Sequence, residues 1–211
     1  MAAMDQGKLN NMCSSINSAA SDYAANVTTA VNTLQGTFNA NWISNSSKSL
    51  ANEIASCVDE LVRNIAETFS NRNDAIRASV NNFNSVENEN ISYSGFTFGT
   101  PSAGSLNELN SALPNGKVGV AEGADLNTIN TDFTTFVSRI DDTLNNIMNT
   151  VQNADAFDSG EQQALTSSVT NIKNQFNSTM DTIKGELNTR VSQEISTRDQ
   201  LNATNISNLQ G

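Results

Sequence analysis

From Leu9 to Phe38 the apolar side chains recur every three or four residues, at Leu9, Met12, Ile16, Ala20, Tyr23, Val27, Ala30 or Val31, Leu34 and Phe38. That spacing lays one stripe along an α-helix. The stripe restarts at Leu50 and runs through Ile54, Cys57 or Val58, Leu61, Ile65 and Phe69 to Ile76, Val80 and Phe83. Two such arms, separated by the polar stretch "FNANWISNSS", predict an αα-hairpin. At ~1.5 Å per residue each arm is roughly 45–55 Å long. The pattern resumes at Leu126 and continues through Ile129, Phe133, Phe136 or Val137, Ile140, Leu144 and Ile147 to Val151. After a break at "NADAFDSGEQQ" it runs on through Leu165, Val169, Ile172, Phe176, Met180, Ile183, Leu187, Val191 and Ile195, with Leu201 and Leu209 beyond. The second half is another hairpin.

Between the hairpins the rhythm fails. Both prolines, Pro101 and Pro114, and six of the eleven glycines fall between residues 88 and 124, and neither residue type carries a helix onward. The alternation in "ISYSGFTF" (Ile91, Tyr93, Phe96, Phe98) predicts a small strand or hairpin, and "SLNELNSAL" one or two helical turns. The chain thus divides into a first hairpin (1–90), a connector (91–123) and a second hairpin (124–211).

A duplication would keep one offset per arm. An offset of 117 places Leu9, Met12, Ile16, Tyr23, Val27 and Leu34 on Leu126, Ile129, Phe133, Ile140, Leu144 and Val151. An offset of 115 places Leu50, Ile54, Leu61 and Ile65 on Leu165, Val169, Phe176 and Met180, and also Trp42 on Phe157 and Ser44 on Ser159. Each hairpin therefore carries an aromatic at its tip. One hairpin cannot enclose its own stripe, but two packed face to face can, so the fold class expected is all-α, an antiparallel four-helix bundle. The antiparallel sense follows from the connector: parallel hairpins would need only a few linking residues, whereas this segment is long enough to travel the length of the arms.

Composition narrows the chemistry. Apolar residues make up 37% of the 211 and aromatics only 6%, a thin core suited to narrow stripes. Eleven Lys and Arg against twenty-two Asp and Glu give a net charge of −11, which disfavours a nucleic-acid groove and an anionic membrane surface. No apolar run is long enough to span a bilayer. "MAAMDQGKLNNMCSS" lacks the cationic start and apolar run of a signal peptide, so synthesis in the cytoplasm of a bacterium and export without a cleaved leader is the expectation.

No histidine is present, which removes the commonest general base and metal ligand. Cys13 and Cys57 lie on separate arms, out of register for a bridge, and read as small apolar residues. In "DAFDSGEQQ", counting Gly160 as the sixth position of a calcium loop leaves Phe157 and Thr166 where oxygen ligands belong. Asp158 or Ser159 capping the next helix, with Glu161 or Gln162 in its first turn, is the better reading. No catalytic, metal or cofactor residues are expected, and no enzyme.

Two antiparallel helices joined at a Trp-x-Gly turn resemble the WxG family of small substrates of the type VII (Esx) secretion system. Residues 1–90 look like one such unit, with Trp42-Ile43-Ser44 at the turn, and residues 124–211 like a second, with Phe157-Asp158-Ser159-Gly160. Ser44 stands in place of the motif's glycine and Phe157 in place of its tryptophan. Members of that family pair into antiparallel four-helix bundles, so the resemblance implies a dimer fused into one polypeptide, a monomer whose partners are proteins, either the secretion machinery or another secreted helical protein. It also implies an export element of the form Tyr-x-x-x-Asp/Glu, matched here by Phe83 to Glu87 with phenylalanine for tyrosine. The alternative from the residues alone is an elongated structural or assembly protein, such as a filament, needle or phage component. Trp42 reads either as a plug closing the bundle end or as a surface for a partner.

Overall fold

The computed structural model describes residues 4–156 and 159–210, and the side chains of all of these except 159 and 206–210. Four helices dominate: α1 (Gln6–Asn41), α2 (Asn45–Glu87), α3 (Leu126–Gln152) and α4 (Ser159–Gln210). Two short strands, β1 (Trp42–Ile43) and β2 (Gly119–Val120), pair antiparallel with Trp42 opposite Val120 and Ile43 opposite Gly119. The protein is all-α, two long hairpins packed as an antiparallel four-helix bundle. No helix among the described residues is long and apolar enough to cross a membrane.

The chain forms two compact units, and each takes a segment of all four helices. Unit 1 comprises residues 1–27, 59–101 and 140–175, and unit 2 comprises 28–58, 102–139 and 176–211. The compact units therefore cut across the hairpins rather than between them. Unit 2 holds the tip of the first hairpin together with the free ends of the second, and unit 1 holds the reverse combination. That is the antiparallel arrangement, and the connector passes from one unit to the other at Pro101.

The stripes are buried as their spacing requires. Ile16, Tyr23, Val27, Leu34 and Phe38 on α1, and Leu50, Ile54, Val58, Ile65 and Phe69 on α2, lose nearly all contact with solvent. Ile129, Phe133, Ile140, Leu144 and Val151 on α3 and Val169, Leu187 and Val191 on α4 do the same. Ala30 and Val31 are both buried, and at the other ambiguous positions the core takes Val58 rather than Cys57 and Phe136 rather than Val137. The stripes thin at their ends: Phe83, Ile172 and Ile195 are half-buried and Leu201 is exposed. Cys13 and Cys57 form no disulfide.

Helix starts are capped by short oxygen-bearing side chains, as orphan N–H groups demand. Asp5 accepts from the N–H groups of Gly7 and Lys8 at 2.7 and 3.1 Å. Asp125 accepts from the Thr128 N–H at 2.7 Å, and that bond, with the Thr128 hydroxyl, holds its carboxyl below the usual carboxylate range. At α4, Asp158 lies outside the described residues, while Glu161 in the first turn pairs with Arg72 of α2 within unit 1.

The stretch "ISYSGFTF" forms no strand, a correction to its alternating pattern. Its backbone groups bond to helix amides instead. The Gln6 side chain donates to the Ser92 carbonyl at 2.8 Å and accepts from the Ser92 N–H at 2.7 Å. Asn84 brackets Ile91 in the same two-way fashion, at 2.8 and 2.9 Å, and Asn17 spans the Gly95 carbonyl and the Thr97 N–H. Each amide offers a donor and an acceptor, as a neighbouring strand would. The alternate apolar side chains turn inward: Phe98 stacks on Phe69 at 4.1 Å and tilts against Tyr23, and Phe96 meets Phe69 edge-on. "SLNEL" does supply the expected turn, a 3-10 helix over Gly104–Glu108. There, in unit 2, Gln35 donates to the Ser105 carbonyl at 2.7 Å and Asn39 accepts from the Asn110 N–H at 2.8 Å. Asn17, Asn39 and Asn84 on the helices thus serve to hold an extended chain.

Burial pushes the phenols of Tyr23 and Tyr93, the chain's two tyrosines, far above their ordinary value of 10.0. At Tyr93 the neighbouring Cys13 adds to the rise, and the guanidinium of Arg77, 5.6 Å from the ring, opposes it. With the folded values raised, the phenols favour the fold fully below pH 10, and that contribution is lost as the pH climbs toward the folded values. On alkaline titration, tyrosinate absorbance should stay low past pH 10 and rise together with loss of helicity. Ionisation of both phenols near pH 10 with helicity unchanged would contradict their burial.

Candidate functional site

The polar break of the first hairpin lies in unit 2. Asn41 ends α1, and Trp42 and Ile43 form β1 instead of a loop, because β2 from the connector supplies their strand partner. The Ala121 N–H extends this ladder to the Asn41 carbonyl at 2.8 Å. Ser44 and Ser47 then start α2 by mutual capping: each hydroxyl accepts from the other's N–H, at 3.2 and 2.8 Å, the reciprocal logic of a capping box.

Trp42 is fully buried, tilted against Phe38 at 5.8 Å between ring centres. Its indole N–H donates to Glu194 Oε2 at 2.9 Å, and the Ser44 hydroxyl donates to Glu194 Oε1 at 2.6 Å. One carboxylate on α4 therefore fixes the hairpin tip with both oxygens. Glu194 belongs to a ladder of charges four residues apart. Arg190 bonds Glu186 at 2.5 Å, pairs with Glu53 at 3.5 Å and reaches the Ser46 carbonyl, while Arg198 donates to the Ala121 carbonyl at 3.1 Å. Past Val191, Glu194 and Arg198 follow the apolar stripe of α4 with polar contacts to the tip and to the connector. Alternating charge at i, i+4 was the sequence signal for such a face, although spacing alone does not reveal that its targets are an indole and two backbone carbonyls.

Ser44, one of the expected turn residues, thus donates to Glu194 in the tip. Gly160 is exposed in the first turn of α4, and Phe157 lies outside the described residues, so the two proposed turn motifs are not brought together: Trp42 and Ser44 belong to unit 2 and Gly160 to unit 1. Phe83 is half-buried and Glu87 exposed in the last turns of α2, in unit 1.

Beside the tip, a groove of about 490 Å³ is bounded by Leu113, Lys117, Val118, Val120, Arg198 and Leu201. Val118 and Leu201 are among the few exposed large apolar side chains. A separate, amide-lined groove of about 370 Å³ in unit 1 runs between Asn11, Ser15, Asn149 and Asn153. Among the described residues no three His, Cys, Asp or Glu side chains converge as ligands for an ion. No family model matches the chain, nor does any curated protein or solved structure.

Glu194→Gln keeps the shape of the anchor and removes its charge. Hydrogen bonds to a charged acceptor contribute about 1.5–3 kcal/mol and neutral ones about 1 kcal/mol, so the substitution should cost roughly 1–2 kcal/mol in urea unfolding. Glu194→Ala, which strands the buried indole N–H, should cost more. Equal stability of all three chains would show the anchor to be idle.

Proposed function

We propose that the chain is a non-enzymatic, secreted helical-bundle protein, a tandem WxG-like substrate, partner or adaptor of a bacterial type VII secretion system that acts through protein surfaces. The observation carrying this reading is that one chain supplies both hairpins of the bundle, with the Trp42 tip of the first seated on α4 of the second. Family resemblance implies just such a pairing, ordinarily made between two chains. The Phe83 to Glu87 segment, in the last turns of α2 with Glu87 exposed, supports the same reading, and protein partners follow from it.

Expression in a bacterium with an active type VII system tests the proposal. The intact chain should accumulate in the medium and stay in the cells when the system's ATPase is inactivated. Joint replacement of Phe83 and Glu87 by alanine should abolish export and leave helicity unchanged. Retention of the unaltered chain in a host that exports its other substrates would overturn the proposal.

A further inference from the structure

We propose that Asn115 is a site of spontaneous covalent modification, in which its side-chain amide converts to aspartate and isoaspartate through a succinimide in the folded protein. Asn115-Gly116 is the chain's only Asn-Gly pair, and it sits in the connector, not in a helix. Most other asparagines lie within helices, where the following N–H is locked into the i to i−4 ladder and the backbone cannot fold back on the side chain. Asn115 and Gly116 are both exposed.

The reaction needs the Gly116 nitrogen to reach Asn115 Cγ. Gly116 has a φ of +76°, and a Cβ built at this position would meet nothing within 4 Å, so no side chain obstructs the approach. The Lys117 N–H donates to Asn115 Oδ1 at 3.0 Å. That donor polarises the amide carbonyl and faces the oxygen on which negative charge develops during attack. The opposing contact is the hydrogen bond from the Gly116 N–H to the Leu113 carbonyl at 2.8 Å, and in an exposed turn such a bond opens at little cost. On attack the N–Cγ bond forms as the Gly116 nitrogen gives its proton to water. The Cγ–Nδ2 bond then breaks, and ammonia departs with a proton taken from solvent. Water adds to either carbonyl of the five-membered imide and opens it to aspartate or isoaspartate. No redox change occurs.

The product places a carboxylate between Leu113 and Lys117, which are joined by a 2.8 Å hydrogen bond from the Leu113 N–H to the Lys117 carbonyl. The isoaspartyl form also lengthens the main chain in this turn, two residues before β2. The modification therefore alters both charge and backbone register on the wall of the groove beside the hairpin tip.

The test is incubation of the intact folded chain at mildly alkaline pH and body temperature, followed by peptide mass spectrometry and isoaspartyl-methyltransferase labelling. The expected result is amide-to-acid conversion concentrated at residue 115, mostly as isoaspartate, and its loss in Asn115→Gln, whose longer side chain cannot close the five-membered ring. A parallel incubation in urea separates the roles of sequence and fold. Conversion at residue 115 only in urea, or conversion spread evenly over the asparagines of the folded chain, would overturn the proposal.

Discussion

Trp42→Ala should destabilise the protein by about 3–5 kcal/mol, the range for truncating a large aromatic in a core. The side chain has no exposed surface, packs against Phe38 and donates its indole N–H to Glu194. Its removal leaves a void at the hairpin tip and deprives a carboxylate of one of its two tip donors. Trp42→Phe divides the effect, since it keeps most of the apolar area and loses the charge-assisted hydrogen bond, and about 1.5–3 kcal/mol should go with that bond. Urea unfolding followed by far-ultraviolet circular dichroism measures both, because the chain has no other tryptophan to report by fluorescence. A loss under about 1 kcal/mol for Trp42→Ala would contradict the packing described here.

Phe69→Ala should cost a similar amount, about 3–5 kcal/mol, through a different part of the molecule. Phe69 is 1% exposed and forms the floor on which the connector's Phe96 and Phe98 rest. The loss should therefore reach the connector: amides of residues 91–98 should exchange faster with deuterium than in the parent chain, beyond the change in global stability. Phe98→Ala removes the other half of the stack. The double variant should then be less destabilised than the sum of the two, by roughly 0.5–1.5 kcal/mol for an aromatic pair in contact. Strict additivity, with unchanged exchange at residues 91–98, would show that the stack does not hold the connector.

Much of the fold was legible in the sequence, because a 3.6-residue stripe sustained over four arms leaves few alternatives. Two long breaks mark the hairpin tips, and the connector's length gives the antiparallel sense. Burial at the ends of the stripes was not legible, since Phe83 and Leu201 keep the spacing yet Phe83 is only half-buried and Leu201 is exposed. The connector was misread at "ISYSGFTF" because alternation reports only which side chains turn inward. Whether the backbone pairs with a strand or with Gln6, Asn17 and Asn84 depends on contacts far apart in sequence. The same limit hid β2 and Glu194. Trp42 stands among asparagine and serine, and those polar residues are what its setting requires: the serines cap α2, one of them shares the Glu194 carboxylate with the indole, and the tryptophan fills the space behind them.

The central claim is that one chain completes its own four-helix bundle. Sedimentation equilibrium over a wide concentration range tests it most directly. A single species of 22.5 kDa, independent of concentration, is the expected result. A dimer, or a polymer that grows with concentration, would mean that the hairpins pair between chains and would favour the assembly-protein reading instead.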